Sequence, residues 1–445
     1  MKIIVIGCGL RTPLLIHGLA HSGLSIAQLV LYDIRPERSQ LMAALGAAIA
    51  AGTPMQVTAA DDLAPALQDC AFVISSIRIG DMDARARDER LALECGFVGQ
   101  ETTGPAGFAM ALRTVPVAVE YAALVKKLAP QAWIVNFTNP AGLITQAISA
   151  HTGARVVGIC DTPAELFFRI ALTLREPPSD VQCDYFGLNH LGWVRTVRVR
   201  GEDVTSRLLE HDDLLRSLYP APLFSTQLIR SLQLIPTEYL FFYYSQRTAI
   251  ANQLTAKATR AEELLNLNQA VLRDLESSIR AGDPAAALRV YRAYLNRRNA
   301  SYMHLEGSGK SAFAEPEVDW DPFEGATGYH RIAVEAISAL SGSEPSRMVL
   351  NVPNRGTIEQ LQADDVVEVP CMVDKWGPRP IPVGSLPVAV RGLTISVKTY
   401  ERLTIEAAVQ KDRALANLAL FTNPMVGDWE AALEFTSRLI DGSPR

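Results

Sequence analysis

The chain opens on an unbroken apolar run, Ile3 to Ile6, that stops at Gly7. Similar short runs recur at Leu29 to Tyr32, Phe72 to Ser75, Trp133 to Val135 and Val156 to Ile159. Between them lie Ala- and Leu-rich stretches with helical period, such as Gln40 to Ala51 and Val117 to Leu128. Strands that are apolar on both faces need cover on both faces. Strand and helix in alternation therefore predict a parallel sheet sandwiched between helices.

Beyond residue 180 the pattern changes. Trp193 to Val199 alternates as a strand does and ends at Gly201, while residues 207–300 read as mainly helical, including Ala261 to Ile279. Further strands are expected at Met348 to Val352 and Val366 to Met372. Lys375 to Pro387, rich in proline and glycine, predicts a loop able to act as a lid, and Thr394 to Leu439 predicts amphipathic helices. The expected fold class is α/β. A Rossmann-like dinucleotide-binding domain spans residues 1–180. A mixed α+β domain spans 181–445, with its C-terminal helices packed back on the first, as in lactate and malate dehydrogenases.

Composition narrows the function. With 48% hydrophobic and 20% charged residues the 445-residue chain is an ordinary globular one, and a net charge of −6 without a basic run argues against nucleic acid. No apolar stretch reads as long enough to span a bilayer, and MKIIVIG reads as a strand rather than a signal peptide. Six cysteines without CxxC or regular spacing suit a reducing cytoplasm.

Gly7-Cys8-Gly9 follows the first strand directly. The first glycine permits a tight turn, and the second lets backbone approach a pyrophosphate at a helix N-terminus. Thr12 stands where a third glycine would complete the fingerprint. Asp33, closing the second strand, can accept from both ribose hydroxyls and repels a 2′-phosphate. NAD is therefore favoured over NADP, although Arg35 leaves room for the latter. Ser76, at the end of the Phe72–Ser75 run, is a further cofactor candidate.

Asn139-Pro140 and Cys160-Asp161 also fall just after strand ends, where ligands bind in such sheets. Cys160 and His190 together could hold a metal with open positions, although each alone reads more simply as a packed thiol and a hydrogen-bonded imidazole. Asp161, ahead of Thr162-Pro163, reads either as a helix N-cap or as an acid.

Several motifs occur in a specific order: IGCG with Thr12-Pro13, IRIGDMDAR, GQETTGPAGFAMALR, VNFTNPAG, GICDTP, GLNHL, PTEYL and YERLTIEAA. Through them nearly the whole chain resembles glycoside hydrolase family 4, the NAD- and divalent-metal-dependent glycosidases, nearest its 6-phospho-β-glucosidase branch. The resemblance implies transient oxidation of a sugar at C3 by NAD⁺, loss of the C2 proton, elimination of the aglycone and return of the hydride. It implies Mn²⁺ or another divalent metal on Cys160 and His190, Tyr239 as the C2 base and Asp161 as an acid beside the metal. Arg85, Glu101, Asn139 and Asn189 match substrate contacts, and Arg260 matches the residue that grips a 6-phosphate. Arg113, in the ALRTVPV helix, reads as structural or as lying near the cofactor. A homodimer or homotetramer is expected. One departure concerns C6. Phosphosugar relatives carry a serine-rich GGGS segment where this chain reads Gly-Cys-Gly-Leu-Arg-Thr-Pro, so Arg11 could take the anion instead, or C6 could carry another group. A glycoside with a different C6 group, α- or β-linked, and a simple NAD-dependent dehydrogenase are the alternatives.

Overall fold

The computed structural model describes residues 1–301 and 328–442 together with Met303, Leu305, Glu306, Phe323 and Gly325. Thirteen strands are formed by the described residues. They are β1 Lys2–Ile6, β2 Gln28–Tyr32, β3 Gln56–Ala60, β4 Phe72–Ser75, β5 Trp133–Asn136, β6 Arg155–Gly158, β7 Val181–Leu188, β8 Leu191–Val199, β9 Glu202–Asp203, β10 Ile235–Pro236, β11 Ser346–Pro353, β12 Val366–Asp374 and β13 Gly377–Pro380. Nine of them make one sheet in the order β13-β12-β11-β6-β5-β4-β1-β2-β3. The six strands from β6 to β3 are parallel. β11, β12 and β13 extend the sheet antiparallel, so the boundary expected at residue 180 does not divide it.

The burial of β1 shows why the apolar runs are unbroken. Ile3 and Val5 belong to one buried cluster and Ile4 and Ile6 to another, one on each face. Successive side chains point to opposite faces, and both faces are covered by helices. A smaller sheet, β10-β8-β7 with β9 beside β8, has its own cluster around Tyr185, Val194 and Val197.

Two expectations are corrected, and one strand has no apolar run to announce it. Gln56–Ala60 is a strand with few large apolar residues; it lies at the sheet edge, where only one neighbour must be matched. The expected loop at Lys375 to Pro387 contains β13, whose two prolines are tolerated because it is the opposite edge. Finally, helix Gly104–Leu128 is long and apolar enough to cross a membrane by length and composition. In this fold its apolar face packs inside the protein: Ala111, Val115, Ala118 and Ala122 share a cluster with Ile405 and Ala408 of helix Val388–Gln410.

That C-terminal helix also ties down the strand that approaches the site. Buried Lys398 donates from Nζ to the Val366 carbonyl (2.7 Å) and to Gln146 Oε1 (2.9 Å), and the same Gln146 oxygen accepts from Val366 N (2.9 Å). The start of β12 is thus fixed to helix Ala141–Thr152 and to helix Val388–Gln410.

Candidate active site

The turn after β1 is shaped by backbone. Gly7 has φ +92°, and a Cβ there would lie 2.4 Å from the Ser76 carbonyl oxygen, so only glycine fits. A Cβ on Gly9 would meet nothing within 4 Å, leaving open space before helix Thr12–Ala20. No side chain caps that helix, so its first N–H groups suit an anion. Asp33 accepts from Cys8 N (2.8 Å) and from Arg35 N (3.0 Å), which fixes its carboxylate beside the turn. Ser76 closes the floor, its N–H donating to Ile6 O (2.8 Å). This cradle fits a dinucleotide.

His190 sits in the tight turn between β7 and β8 at φ +60°, 3% exposed. Its Nδ1 lies 2.8 Å from Thr102 Oγ1. That hydroxyl donates to Gln100 Oε1 (3.0 Å), so it accepts from Nδ1–H and leaves the Nε2 lone pair free. Burial holds the imidazole pKa down to about 4, so the ring is neutral, as a ligand must be. Cys160 follows β6 and is 4% exposed. Burial first, then the negative charges of Glu368 and Asp161, push its thiol well above the ordinary range, so a thiolate there needs a cation. Among the described residues no group of three or more His, Cys, Asp or Glu could hold a metal. One sulfur and one imidazole leave the remaining positions to substrate, which fits a catalytic rather than a structural ion.

Tyr239 lies in the short turn Glu238–Leu240, its ring stacked on His190 with centroids 3.8 Å apart and planes at 4°. Burial, then the negative charges of Glu238, Glu101, Cys160 and Asp161, raise its phenol well above the usual value. Asp161 precedes helix Thr162–Leu174 but makes no side-chain cap bond, so the capping reading is not realised. Its carboxylate instead meets Arg11 Nη1 (4.0 Å) and the Tyr329 hydroxyl. Burial raises its pKa even against Arg11, which favours a carboxyl that can carry a proton.

Glu101 accepts from Arg78 Nη2 (2.7 Å) and pairs with Arg85 Nη1 (2.9 Å). Burial alone would raise its pKa; Arg85, Arg78 and Arg11 outweigh burial and hold it down to about 2. Arg85 also donates to Glu89, which accepts from Ala261 N at the start of helix Arg260–Arg280. Asn139, on a cis bond to Pro140 after β5, makes no side-chain hydrogen bond to the described residues, so its amide is open to a ligand. Asn189 is engaged at both ends, accepting from Gly142 N (3.3 Å) and donating to Glu368 Oε1 (3.1 Å). Arg260 donates to Ser301 Oγ (2.7 Å) and to the Arg298 carbonyl (3.1 Å). Arg113 pairs with Asp88, and the pair lines one pocket with Arg78, Arg85 and Glu101.

Sequence reasoning missed four residues. Gln100 and Thr102 set the imidazole tautomer; a four-fold cluster of donors on Gln100 Oε1, from the N–H and hydroxyl groups of Thr102 and Thr103, holds this loop. Glu368, 1% exposed, accepts from Tyr185 Oη (2.6 Å), Asn351 Nδ2 (2.9 Å) and Asn189. Its signal was a lone acid in the apolar run of β12. Arg298 gives no signal on its helix, yet burial and the nearby charges of Arg11 and Arg260 push its pKa down, placing three guanidiniums in one region.

Comparison with known proteins gives the family and the fold. Residues 2–175 match the profile of family 4 glycosyl hydrolase, and residues 185–426 match that of the family 4 glycosyl hydrolase C-terminal domain. A probable 6-phospho-β-glucosidase of Bacillus subtilis is 31% identical, the alignment covering 99% of this chain and 96% of that protein. The 6-phospho-β-glucosidase of Thermotoga maritima, solved with NAD and glucose-6-phosphate, is 29% identical with a TM-score of 0.82 over 99% of this chain and 98% of that one. The same enzyme has been solved with manganese, NAD⁺ and glucose-6-phosphate. Malate dehydrogenase of Cryptosporidium parvum, 15% identical with a TM-score of 0.51 over 93% of this chain and 99% of that one, shares the fold. The chain belongs to the family 4 glycosyl hydrolases.

Proposed function

We propose that the chain hydrolyses 6-phospho-glucosides by oxidation at C3, proton loss at C2 and elimination at C1, with NAD and a divalent cation such as Mn²⁺. The observation that carries this reading is the Tyr239 ring stacked on His190 beside Cys160 and Asp161, at the carboxyl ends of a nucleotide-type sheet. A plain dehydrogenase has no use for a second base there.

When bound, the nicotinamide takes and returns the C3 hydride while the cation withdraws electron density from the sugar oxygens. Gly7, Gly9 and Ser76 form the pyrophosphate side of the cofactor cradle, and Asp33 receives the ribose hydroxyls. Cys160 and His190 hold the cation. Tyr239 takes the C2 proton, and because its phenol is raised by burial it depends on neighbouring positive charge to do so. Asp161, its carboxyl raised by burial even beside Arg11, gives a proton to the leaving oxygen at C1 and then handles the water that adds back. Departure at C1 follows proton loss at C2, so the geometry does not require one anomer. Arg85, Glu101, Asn139 and Asn189 face the sugar. Arg260, with Arg298 and Arg11, supplies the positive region for a C6 phosphate. A homodimeric or homotetrameric state and a cytoplasmic setting belong to the same proposal; the latter is supported by six free cysteines.

The test is a nitrophenyl 6-phospho-β-glucoside deuterated at C2, assayed with NAD⁺, Mn²⁺ and a thiol reductant. The expected outcome is slowed turnover, loss of label to solvent and no net NADH, with Tyr239→Phe abolishing both turnover and exchange. Retained deuterium with stoichiometric NADH would establish a simple dehydrogenase.

A further inference from the structure

Asp33 is the ordinary means by which such a site prefers a free 2′-hydroxyl, yet two arginines follow it closely. Arg35 and Arg38 are the cations that would receive a 2′-phosphate, and Arg35 Nε lies 3.8 Å from Asp33 itself. Neither is free. Arg35 Nη1 lies 2.8 Å from Asp81 Oδ2, and Arg38 Nη2 lies 3.8 Å from the same oxygen. Asp81 comes from a different part of the chain, at the start of helix Asp81–Glu94 that follows β4. It holds φ +53°, directly after Gly80 at φ +81°, a backbone region that residues other than glycine enter at a cost. Aspartate is among the few residues besides glycine that enter that region more readily, so it is the two guanidiniums upon its carboxylate that call for a reason.

We propose that Asp81 is a specificity-determining residue for the cofactor: it draws Arg35 and Arg38 away from the adenosine 2′-position. Asp33, Asp81 and the two arginines sum to zero charge. A 2′-phosphate entering there meets the Asp33 carboxylate, while Arg35 is paired with Asp81 and Arg38 is drawn toward the same oxygen. A 2′-hydroxyl needs only the acceptor. The ionised state of Asp81 agrees: burial would raise its pKa, but Arg35 and then Arg38 bring it below the usual carboxylate range. This inference rests on the reading that Asp33 receives the ribose hydroxyls.

The experiment measures dissociation constants of NAD⁺ and NADP⁺ by calorimetry on the 445-residue chain. Four forms are compared: the unsubstituted chain, Asp81→Asn, Asp81→Asn with Arg35→Ala, and Asp33→Ser. Asparagine tolerates positive φ as aspartate does, so the turn is kept. Asp81→Asn is expected to bind NADP⁺ about tenfold tighter than the unsubstituted chain while NAD⁺ changes by less than about twofold, one freed charge-assisted contact being of that order. Adding Arg35→Ala should remove most of that gain. Unchanged NADP⁺ affinity in Asp81→Asn, with Asp33→Ser impaired for NAD⁺, overturns the role of Asp81 alone. Unimpaired NAD⁺ binding by Asp33→Ser overturns the placement of the ribose, and the present inference with it.

Discussion

Glu368 is an acid in a strand whose other central residues are apolar, and three donors account for it. Tyr185, Asn189 and Asn351 together satisfy the carboxylate, which is the form that accepts from all three. It also lies close enough to Cys160 to raise that thiol. One thiolate would leave a bound divalent cation with net positive charge, and a buried carboxylate behind it would supply the balance. Glu368→Gln keeps the shape but points an N–H₂ group at donors and removes the charge. Its Mn²⁺ dissociation constant is expected to rise roughly tenfold to a hundredfold, with NAD⁺ affinity unchanged. Equilibrium dialysis with Mn²⁺ checks this; equal Mn²⁺ affinity in the variant would reduce Glu368 to a structural tie between β12 and β7.

The turn from β1 into helix Thr12–Ala20 contains two glycines with different duties. Gly7→Ala places a Cβ against the Ser76 carbonyl in a positive-φ position, and a loss of about 1–3 kcal/mol of folding stability is expected. Gly9→Ala places a Cβ in open space, so its unfolding midpoint should equal that of the unsubstituted chain, while NAD⁺ affinity falls about tenfold or more as backbone approach to the pyrophosphate is blocked. Urea unfolding read beside NAD⁺ titration separates the two. Elements of this kind were legible in the sequence: β1, β2, β4, β5 and β6 all coincide with apolar runs, because burial on both faces leaves no polar positions to blur them. β3 and β13 were not legible, since an edge strand tolerates small, polar or proline residues. The pairing of β11 with β6 was also hidden, because a single Asn351–Gly158 register contact joins segments remote in sequence. The site divides in the same way. Cys160, His190 and Tyr239 stand in motifs, whereas Glu368 and Arg298 reach the site from β12 and from helix Pro284–Ala300 only through the folded topology.

At the scale of the whole molecule, His330 links the cofactor turn to the far side of the site. It lies on helix Tyr329–Leu340, whose first residue bonds Asp161, and its ring packs against Gly18 of helix Thr12–Ala20. The ring is 6% exposed, and its Nε2 has no hydrogen-bond partner among the described residues. Burial first, then the positive charges of Arg331, His17 and Arg11, hold its pKa down to about 4, against an ordinary 6.5. Between those values the unfolded chain binds a proton that the folded chain refuses, so acid draws the equilibrium toward unfolding. The contribution is fully favourable above the upper value and is lost progressively down to the lower one. Absolute stability will not show this cleanly, because buried carboxyls with raised pKa, such as Glu89 and Glu401, gain protons on folding and act in the opposite sense. The comparison with His330→Leu removes them, since they are common to both proteins. That variant should be the less stable at about pH 7, where packing against Gly18 dominates, and its deficit should shrink by up to about 1.4 kcal/mol for each pH unit toward about pH 5. Urea midpoints of both proteins at the two pH values measure the change. A deficit that stays constant would mean that His330 takes up its proton over the same pH range in the folded and unfolded chains, its charge being satisfied in the fold.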